Sequence, residues 1–182
     1  LPRPFSVIAT QNPVEQEGTY PLPEAQKDRF MICCILDYPS ADEEVEVLLR
    51  TTQGKSSKLE KLLDGEKIME YRRTVKNIAI SRELTEYAVN IVRATRPKDE
   101  KSPEVARNFI DYGAGPRAGQ ALLNCAKAYA AMDGRPAICS DDIKESYVIC
   151  LRHRIICNYK ARADGMDEDS VLLEILKSVP FV

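Results

Sequence analysis

Two polar side chains near the start of the sequence could contact an anion or hold a water molecule. Asn12 follows the apolar run of residues 4–10, so its amide could hydrogen-bond a phosphate oxygen or place an attacking water. Loop asparagines more often bond their own backbone. Arg29 stands before a second apolar run, where an ion pair with Asp28 or Glu24 would contribute under about 1 kcal/mol. Taken alone, each residue leaves both readings open.

A third residue, Arg117, stands where a cation does not help its own helix. Gly115 and Pro116 introduce a helix in which Arg117 is the second residue. A positive charge there opposes the helix dipole and costs a few tenths of a kcal/mol. The position is explained if an anion binds, because Arg117 and the free backbone N–H groups would point at it together.

Other patterns that could carry chemistry do not have the required spacing. Residues 54–56 (Gly-Lys-Ser) end like a phosphate loop, but the glycine needed at position 49 is Leu49. Asp37 resembles a magnesium-holding residue at a strand end, yet Tyr38 follows it. Residues 152–154 (Arg-His-Arg) could be a basic contact or could complement a helix C-terminus. The chain has one histidine and no Cys-x-x-Cys pair, so we predict no catalytic triad and no metal site.

Composition places the chain among ordinary globular proteins. Of its 182 residues 44% are apolar and 30% charged, with a net charge of −2. This balance does not favour a nucleic acid or a membrane surface as partner. No apolar run approaches the roughly 20 residues of a membrane span, and the start has no signal-peptide pattern. We therefore expect a cytoplasmic protein.

The candidate residues need elements to position them, and the sequence predicts two kinds. Residues 4–10 and 30–36 are continuous apolar runs, typical of parallel strands buried on both faces. From Pro39 onward the pattern is helical, with capping signals at Ser40, Ser81 and Ser140 and a glycine stop at Gly134. The predicted helices cover residues 40–51, 59–73, 81–96, 116–133, 140–154 and 169–178, with a short extended piece at 75–80. Two of them carry apolar stripes predicted to face a core, formed by Leu84, Tyr87, Ala88, Ile91 and Val92 and by Ala118, Ala121, Leu122, Cys125, Tyr129 and Met132. The fold class is an α/β piece, residues 1–38, followed by an all-α domain, residues 39–182, predominantly helical overall.

At this point two stretches show a family resemblance. Residues 9–30, ATQNPVEQEGTYPLPEAQKDRF, closely resemble the second half of the ATPase core in the MoxR family of AAA+ proteins. Residues 113–118, GAGPRA, resemble the lid motif of that family. Lys27 stands where the family usually has an apolar residue, and Gly115 where serine is usual. The resemblance covers essentially the whole chain and is loosest between residues 52 and 80.

The resemblance implies a role for each candidate. Asn12 matches sensor 1, which reads the γ-phosphate, and Arg29 matches the arginine finger that reaches the nucleotide of a neighbouring subunit. Arg117 matches sensor 2, with Gly115 and Pro116 beside it in the nucleotide-binding lid motif. The implied cofactors are ATP and Mg²⁺, whose main ligands we expect outside this chain. We therefore expect the C-terminal portion of an ATPase, which alone binds ATP weakly or not at all.

The implied function of the parent protein is ATP-driven, chaperone-like maturation of partner complexes by a ring, expected to be a hexamer. The expected clients are metal-containing enzymes or proteins with a von Willebrand A domain. Two alternatives stay open: a helical interaction scaffold that hydrolyses nothing, and a magnesium-chelatase-like AAA+ subunit.

Overall fold

A computed structural model describes residues 2–11, 22–53 and 60–181, and this part of the chain is mostly helical. The helices are α1 (Glu24–Lys27), α2 (Ala41–Thr52), α3 (Gly65–Asn77), α4 (Arg82–Ala94), α5 (Glu104–Phe109), α6 (Pro116–Met132), α7 (Ser140–Leu151), α8 (Tyr159–Ala163) and α9 (Glu168–Ser178). Two short strands, β1 (Ile110–Tyr112) and β2 (Ile156–Cys157), pair antiparallel.

The core is formed by α4, α6, α7 and α9, and α6 against α7 is the most extensive helix contact. Leu84, Tyr87, Ala88, Ile91 and Val92 all face this core, which confirms the stripe predicted for α4. The inward side of α6 is confirmed at Ala118, Ala121, Leu122 and Cys125. Tyr129 is only half-buried and Met132 is 72% exposed, whereas Ala130 in the same last turn of α6 is fully buried.

The capping signals predict the starts of α2 and α4 correctly and that of α7 to within one residue. Ser40 forms the expected capping box, with its Oγ accepting from the Glu43 N–H and the Glu43 carboxylate accepting from the Ser40 N–H. Ser81 accepts from the Leu84 N–H at the start of α4. At α7 the cap is Cys139 rather than the predicted Ser140, because the Asp142 carboxylate reaches back to the Cys139 N–H.

The two parallel strands predicted for residues 4–10 and 30–36 are not formed. Both runs are irregular and largely exposed, with Ile8 at 92% and Leu36 at 91%. A strand needs a neighbouring strand to accept its hydrogen bonds, and the described residues offer none beside either run. The described structure therefore does not show the strands of the α/β prediction, whereas the predominantly helical character is confirmed.

Smaller differences lie around α3 and α5. Helix α3 begins at Gly65 rather than residue 59 and continues to Asn77. Of the extended piece predicted at 75–80, Ala79 forms a β-bridge with Ala137. Helices α5 and α8 and the β1–β2 pair were not predicted. No helix in the described ranges is long and apolar enough to cross a membrane.

Candidate functional site

A tight turn fixes the start of α6 and with it Arg117. The turn passes so close to the end of α4 that a Cβ atom on Gly113 would lie 2.4 Å from the Thr95 carbonyl oxygen. The Ala114 N–H donates to Thr95 Oγ1 at 2.9 Å, and Arg96 Nε donates to the Ala114 carbonyl at 2.9 Å. Both Thr95 and Ala114 are buried. Arg117 is thus positioned by the packed α4–α6 core.

The first turn of α6 presents Arg117 to solvent. Gly115 is the N-cap in extended conformation without a side-chain cap, and Pro116 occupies the first helical position, as predicted. A Cβ on Gly115 would meet no heavy atom within 4 Å, so the space in front of the helix is open. The Arg117 side chain is 55% exposed, and the N–H groups of a helix's first turn lack intrahelical acceptors. This end of α6 combines two features that favour an anion.

Arg117 binds a carboxylate far away in sequence. Its Nη1 lies 3.2 Å from Oδ2 of Asp28, the residue next to Arg29. The other carboxylate oxygen, Asp28 Oδ1, accepts from Arg154 Nε at 3.1 Å. The Arg154 side chain is only 2% exposed, and Asp28 is 28% exposed. One carboxylate therefore joins an exposed arginine at the start of α6 to a buried arginine after α7.

Arg154 also hydrogen-bonds the backbone on both sides of Arg29. Its guanidinium donates to the carbonyl of Asp28 at 3.1 Å and to that of Met31 at 3.1 Å. It also donates to the carbonyls of Phe30 and of Cys150, the latter in the last turn of α7. A planar guanidinium with five N–H donors can satisfy such a set of carbonyls, whereas a lysine cannot.

His153 and the end of α7 extend the same attachment. His153 Nε2 lies 3.1 Å from the Phe30 carbonyl, which can only accept, so Nε2 carries the proton. Three residues after Phe30, the Cys33 N–H donates to the Ile149 carbonyl at 2.9 Å. Burial, with the charges of Arg154 and Arg152 adding to it, lowers the pKa of His153, although the bond to Phe30 opposes the shift. The segment 28–33 is thus docked along the end of α7.

The Arg29 side chain takes no part in this attachment. It is exposed and has no side-chain hydrogen bond or ion pair to any other residue in the described ranges. Asn12 lies outside the described residues. The structure therefore brings the Arg29 segment and Arg117 together through Asp28, while the relation of Asn12 to them stays a prediction.

Sequence reasoning missed Asp28 and misjudged Arg154. From sequence, Asp28 is only a local partner for Arg29, and residues 152–154 fit either a basic contact or a helix-dipole role. A signal did exist, because two arginines flanking a histidine at a helix end exceed what a helix C-terminus needs. Within the described part of the chain, no cluster of three potential metal ligands occurs.

Comparison with known proteins finds matches in both parts of the chain. The family model "AAA lid domain" matches residues 103–175, and the model "ATPase family associated with various cellular activities (AAA)" matches residues 1–32. Chaperone MoxR1 of Mycobacterium tuberculosis is 34% identical over 179 residues, which cover 98% of this chain and 47% of that protein. The chain belongs to the MoxR family of AAA+ proteins.

Two further proteins match this MoxR-family chain over nearly its whole length and over about half of their own. YeaC of Bacillus subtilis is 38% identical over 98% of the chain and 53% of its own length. A crystal structure from Cytophaga hutchinsonii, described as a candidate ATPase, superposes with a TM-score of 0.90 at 40% identity. It covers 100% of this chain, which in turn covers 56% of it. The chain spans about half the length of the curated relatives it matches.

Among the described residues of the MoxR-family chain, some features needed to bind the phosphates of a nucleotide are present. The exposed Arg117 guanidinium and the open first turn of α6 match what an anionic phosphate requires. A complete phosphate loop does not occur in the printed sequence. The start of α6 therefore offers a positive charge and free N–H groups to an anion, without a phosphate loop beside them.

Proposed function

We propose that this chain is the sensing and lid portion of a ring-forming MoxR-type ATPase. Arg117 would contact the nucleotide of its own subunit, Arg29 would reach the nucleotide of a neighbouring subunit, and Asn12 would hold the attacking water. The observation that carries the proposal is the docking of the Arg29 segment beside Arg117 through Asp28. The division into residues 1–38 and 39–182 is part of this proposal.

ATP with Mg²⁺, when bound, supplies the phosphoryl group and the metal charge. Phosphoryl transfer depends mainly on positioning and on neutralising charge, and exposed arginines can provide both. Arg117 lies on a packed helix, so it can hold a phosphate oxygen in a fixed direction. Arg29 is exposed beside a fixed backbone, so it can extend across an interface.

The biological role proposed with it is chaperone-like maturation of partner complexes by an ATP-driven ring, expected to be a hexamer. A relative named as a chaperone supports this class of role. Metal-containing enzymes and proteins with a von Willebrand A domain are the proposed clients.

The test uses a longer protein that joins this chain to its phosphate loop. Replacing Arg29 with Ala should lower kcat for ATP hydrolysis by about 10³-fold or more, with little change in nucleotide binding. Replacing Arg117 with Ala removes a charge-assisted contact and should weaken nucleotide binding about tenfold to a hundredfold. Arg82→Ala is the matched control, because Arg82 is 88% exposed on α4 and pairs only with Glu86 among the described residues.

Mixed rings show whether Arg29 acts on a neighbouring subunit. Subunits with Arg29→Ala are combined with subunits whose phosphate-loop lysine is replaced. Partial recovery of hydrolysis is expected, because some interfaces then join an intact phosphate loop to an intact Arg29. No recovery would refute action in trans. A protein that has its phosphate loop and still hydrolyses no ATP would favour the scaffold alternative.

A further inference from the structure

The backbone on both sides of Arg29 is anchored while its side chain is exposed. On one side, Asp28 is bound through its carboxylate and its carbonyl by Arg154. On the other side, the Phe30 carbonyl accepts from both Arg154 and His153. The anchored backbone of residues 28–30 is called the Arg29 mount below. A group that must act at an interface needs such anchoring, because a loosely held cation spends little time in the productive position.

The same mount is in contact with Arg117. Asp28 presents one oxygen to Arg154 and the other to Arg117, at 3.1 Å and 3.2 Å. Arg154 is buried and has four backbone carbonyls as further partners, so it is the fixed end. Arg117 is more than half exposed and has Asp28 as its only ion-pair partner among the described residues, so it is the end that can change partner.

We propose that Asp28 is a bridge that couples Arg117 to the position of Arg29, with Arg154 as its anchor. This inference rests on the proposed function, since it assigns regulation to the same site. A phosphate approaching Arg117 competes with the Asp28 carboxylate for one guanidinium. The Asp28 backbone is part of the Arg29 mount. Loss or sharing of the Asp28–Arg117 contact therefore changes the backbone position directly beside Arg29.

The coupling must work in both directions. Any state of Arg29 that strengthens the Asp28–Arg117 contact weakens phosphate binding at Arg117, and phosphate binding loosens that contact by the same factor. A neighbouring nucleotide that engages Arg29 can therefore alter the affinity of the subunit's own site. Asp28 and Arg154 act as positioning residues, because they act through Arg117 and through the backbone beside Arg29.

The mount is tested on the 182-residue chain by amide hydrogen exchange. The Cys33 N–H donates to the Ile149 carbonyl, so its protection reports whether the Arg29 segment is docked. Arg154→Lys keeps the charge but loses the fork of N–H donors. We expect exchange at Cys33 to rise at least about tenfold, while amides inside α6 keep their protection.

The matched control is Arg135→Lys. Arg135 binds both oxygens of Asp142, at 2.8 Å and 2.5 Å, near the start of α7, and the described structure gives it no contact with residues 28–33. The control should leave exchange at Cys33 unchanged. Unaltered protection in Arg154→Lys would overturn the anchor role. An equal rise in both variants would overturn it too, because it would show a general loosening of α7.

The bridge is tested in the longer protein by replacing Asp28 with Asn. The Oδ1 acceptor for Arg154 is kept, whereas the charge that competes for Arg117 is removed. We expect ATP to bind about two- to fivefold more tightly, the equivalent of an exposed ion pair, while kcat falls. A merely structural role would not tighten binding. In an Arg117→Ala background, Asp28→Asn should leave ATP affinity unchanged.

Failure of the bridge and failure of the proposed function have different signatures. If Asp28→Asn leaves affinity unchanged or weakens it while Arg29→Ala still abolishes hydrolysis, the bridge is wrong and the ATPase roles stand. If Arg29→Ala hydrolyses ATP normally, the finger role is wrong, and the coupling of Asp28 to that role falls with it. The exchange result on Cys33 then still decides whether Arg154 anchors the segment.

Discussion

Replacing Gly113 with Ala should disturb the turn that positions Arg117 far more than its size suggests. A Cβ at this position would lie 2.4 Å and 2.6 Å from the carbonyl oxygen and carbon of Thr95 and 2.7 Å from the Cα of Arg96. All three atoms belong to the backbone, so no side chain can rotate away. The turn must therefore move away from the end of α4.

The magnitude follows from two contributions. Forcing a methyl group into packed structure costs about 1–3 kcal/mol. Moving the turn also weakens the buried bond from the Ala114 N–H to Thr95 Oγ1, which contributes about 1 kcal/mol. The reduced freedom of the unfolded chain returns about 0.4–1 kcal/mol. We expect the free energy of unfolding to fall by about 2–3 kcal/mol.

Gly119 provides the matched control on the same helix. It lies inside α6, and an added Cβ would meet no heavy atom within 4 Å. Gly119→Ala should therefore raise the free energy of unfolding by about 0.5–1 kcal/mol. Urea denaturation followed by far-ultraviolet circular dichroism measures both variants. If Gly113→Ala proves as stable as Gly119→Ala, the close approach of the turn to Thr95 is wrong.

Two further predictions concern pH. The Arg135 guanidinium holds the pKa of Asp142 below its usual range, so Asp142→Asn should lower the free energy of unfolding by about 1.5–3 kcal/mol near neutral pH. In urea titrations this loss should shrink as pH falls below about 4, the ordinary pKa of Asp. A loss that stays constant with pH would refute the pairing. Burial lowers the pKa of His153, so the folded state prefers the neutral ring and loses stability as pH falls from about 6.5 through the lowered folded pKa. His153→Gln should lose this part of the pH dependence, and an unchanged difference between pH 7.5 and 5 would count against it.

The helices of the second part of the chain could be predicted because their signals are local. The apolar stripe of α4 and the Ser81 cap lie within one helix, and so do Pro116 and the inward side of α6. Helix α5 and helix α8 have only six and five residues, too few for a clear periodicity. They are held by tertiary contacts, such as the Asn158 N–H donating to the Phe109 carbonyl.

The candidate site was predictable only where its residues interact with nearby sequence. The place of Arg117 on α6 followed from Gly115 and Pro116 alone. The pairing of Asp28 with Arg154 joins residues 126 positions apart, and no local pattern specifies it. The dipole accounts for one basic residue after a helix, so the surplus at residues 152–154 indicates a further partner without specifying which residue it is.

The failure of the predicted strands and the presence of the Arg154 attachment have a common physical origin. Residues 30–33 carry apolar side chains and carbonyls that a parallel sheet would pair, yet no described neighbouring strand accepts them. Arg154, His153 and the Ile149 carbonyl satisfy the backbone of this segment instead. Backbone groups held from α7 can remain held while the opposite side of the segment pairs with a strand. The contacts with Arg154, His153 and Ile149 therefore hold residues 28–33 on α7 without strand pairing, and they keep Asp28 beside Arg117.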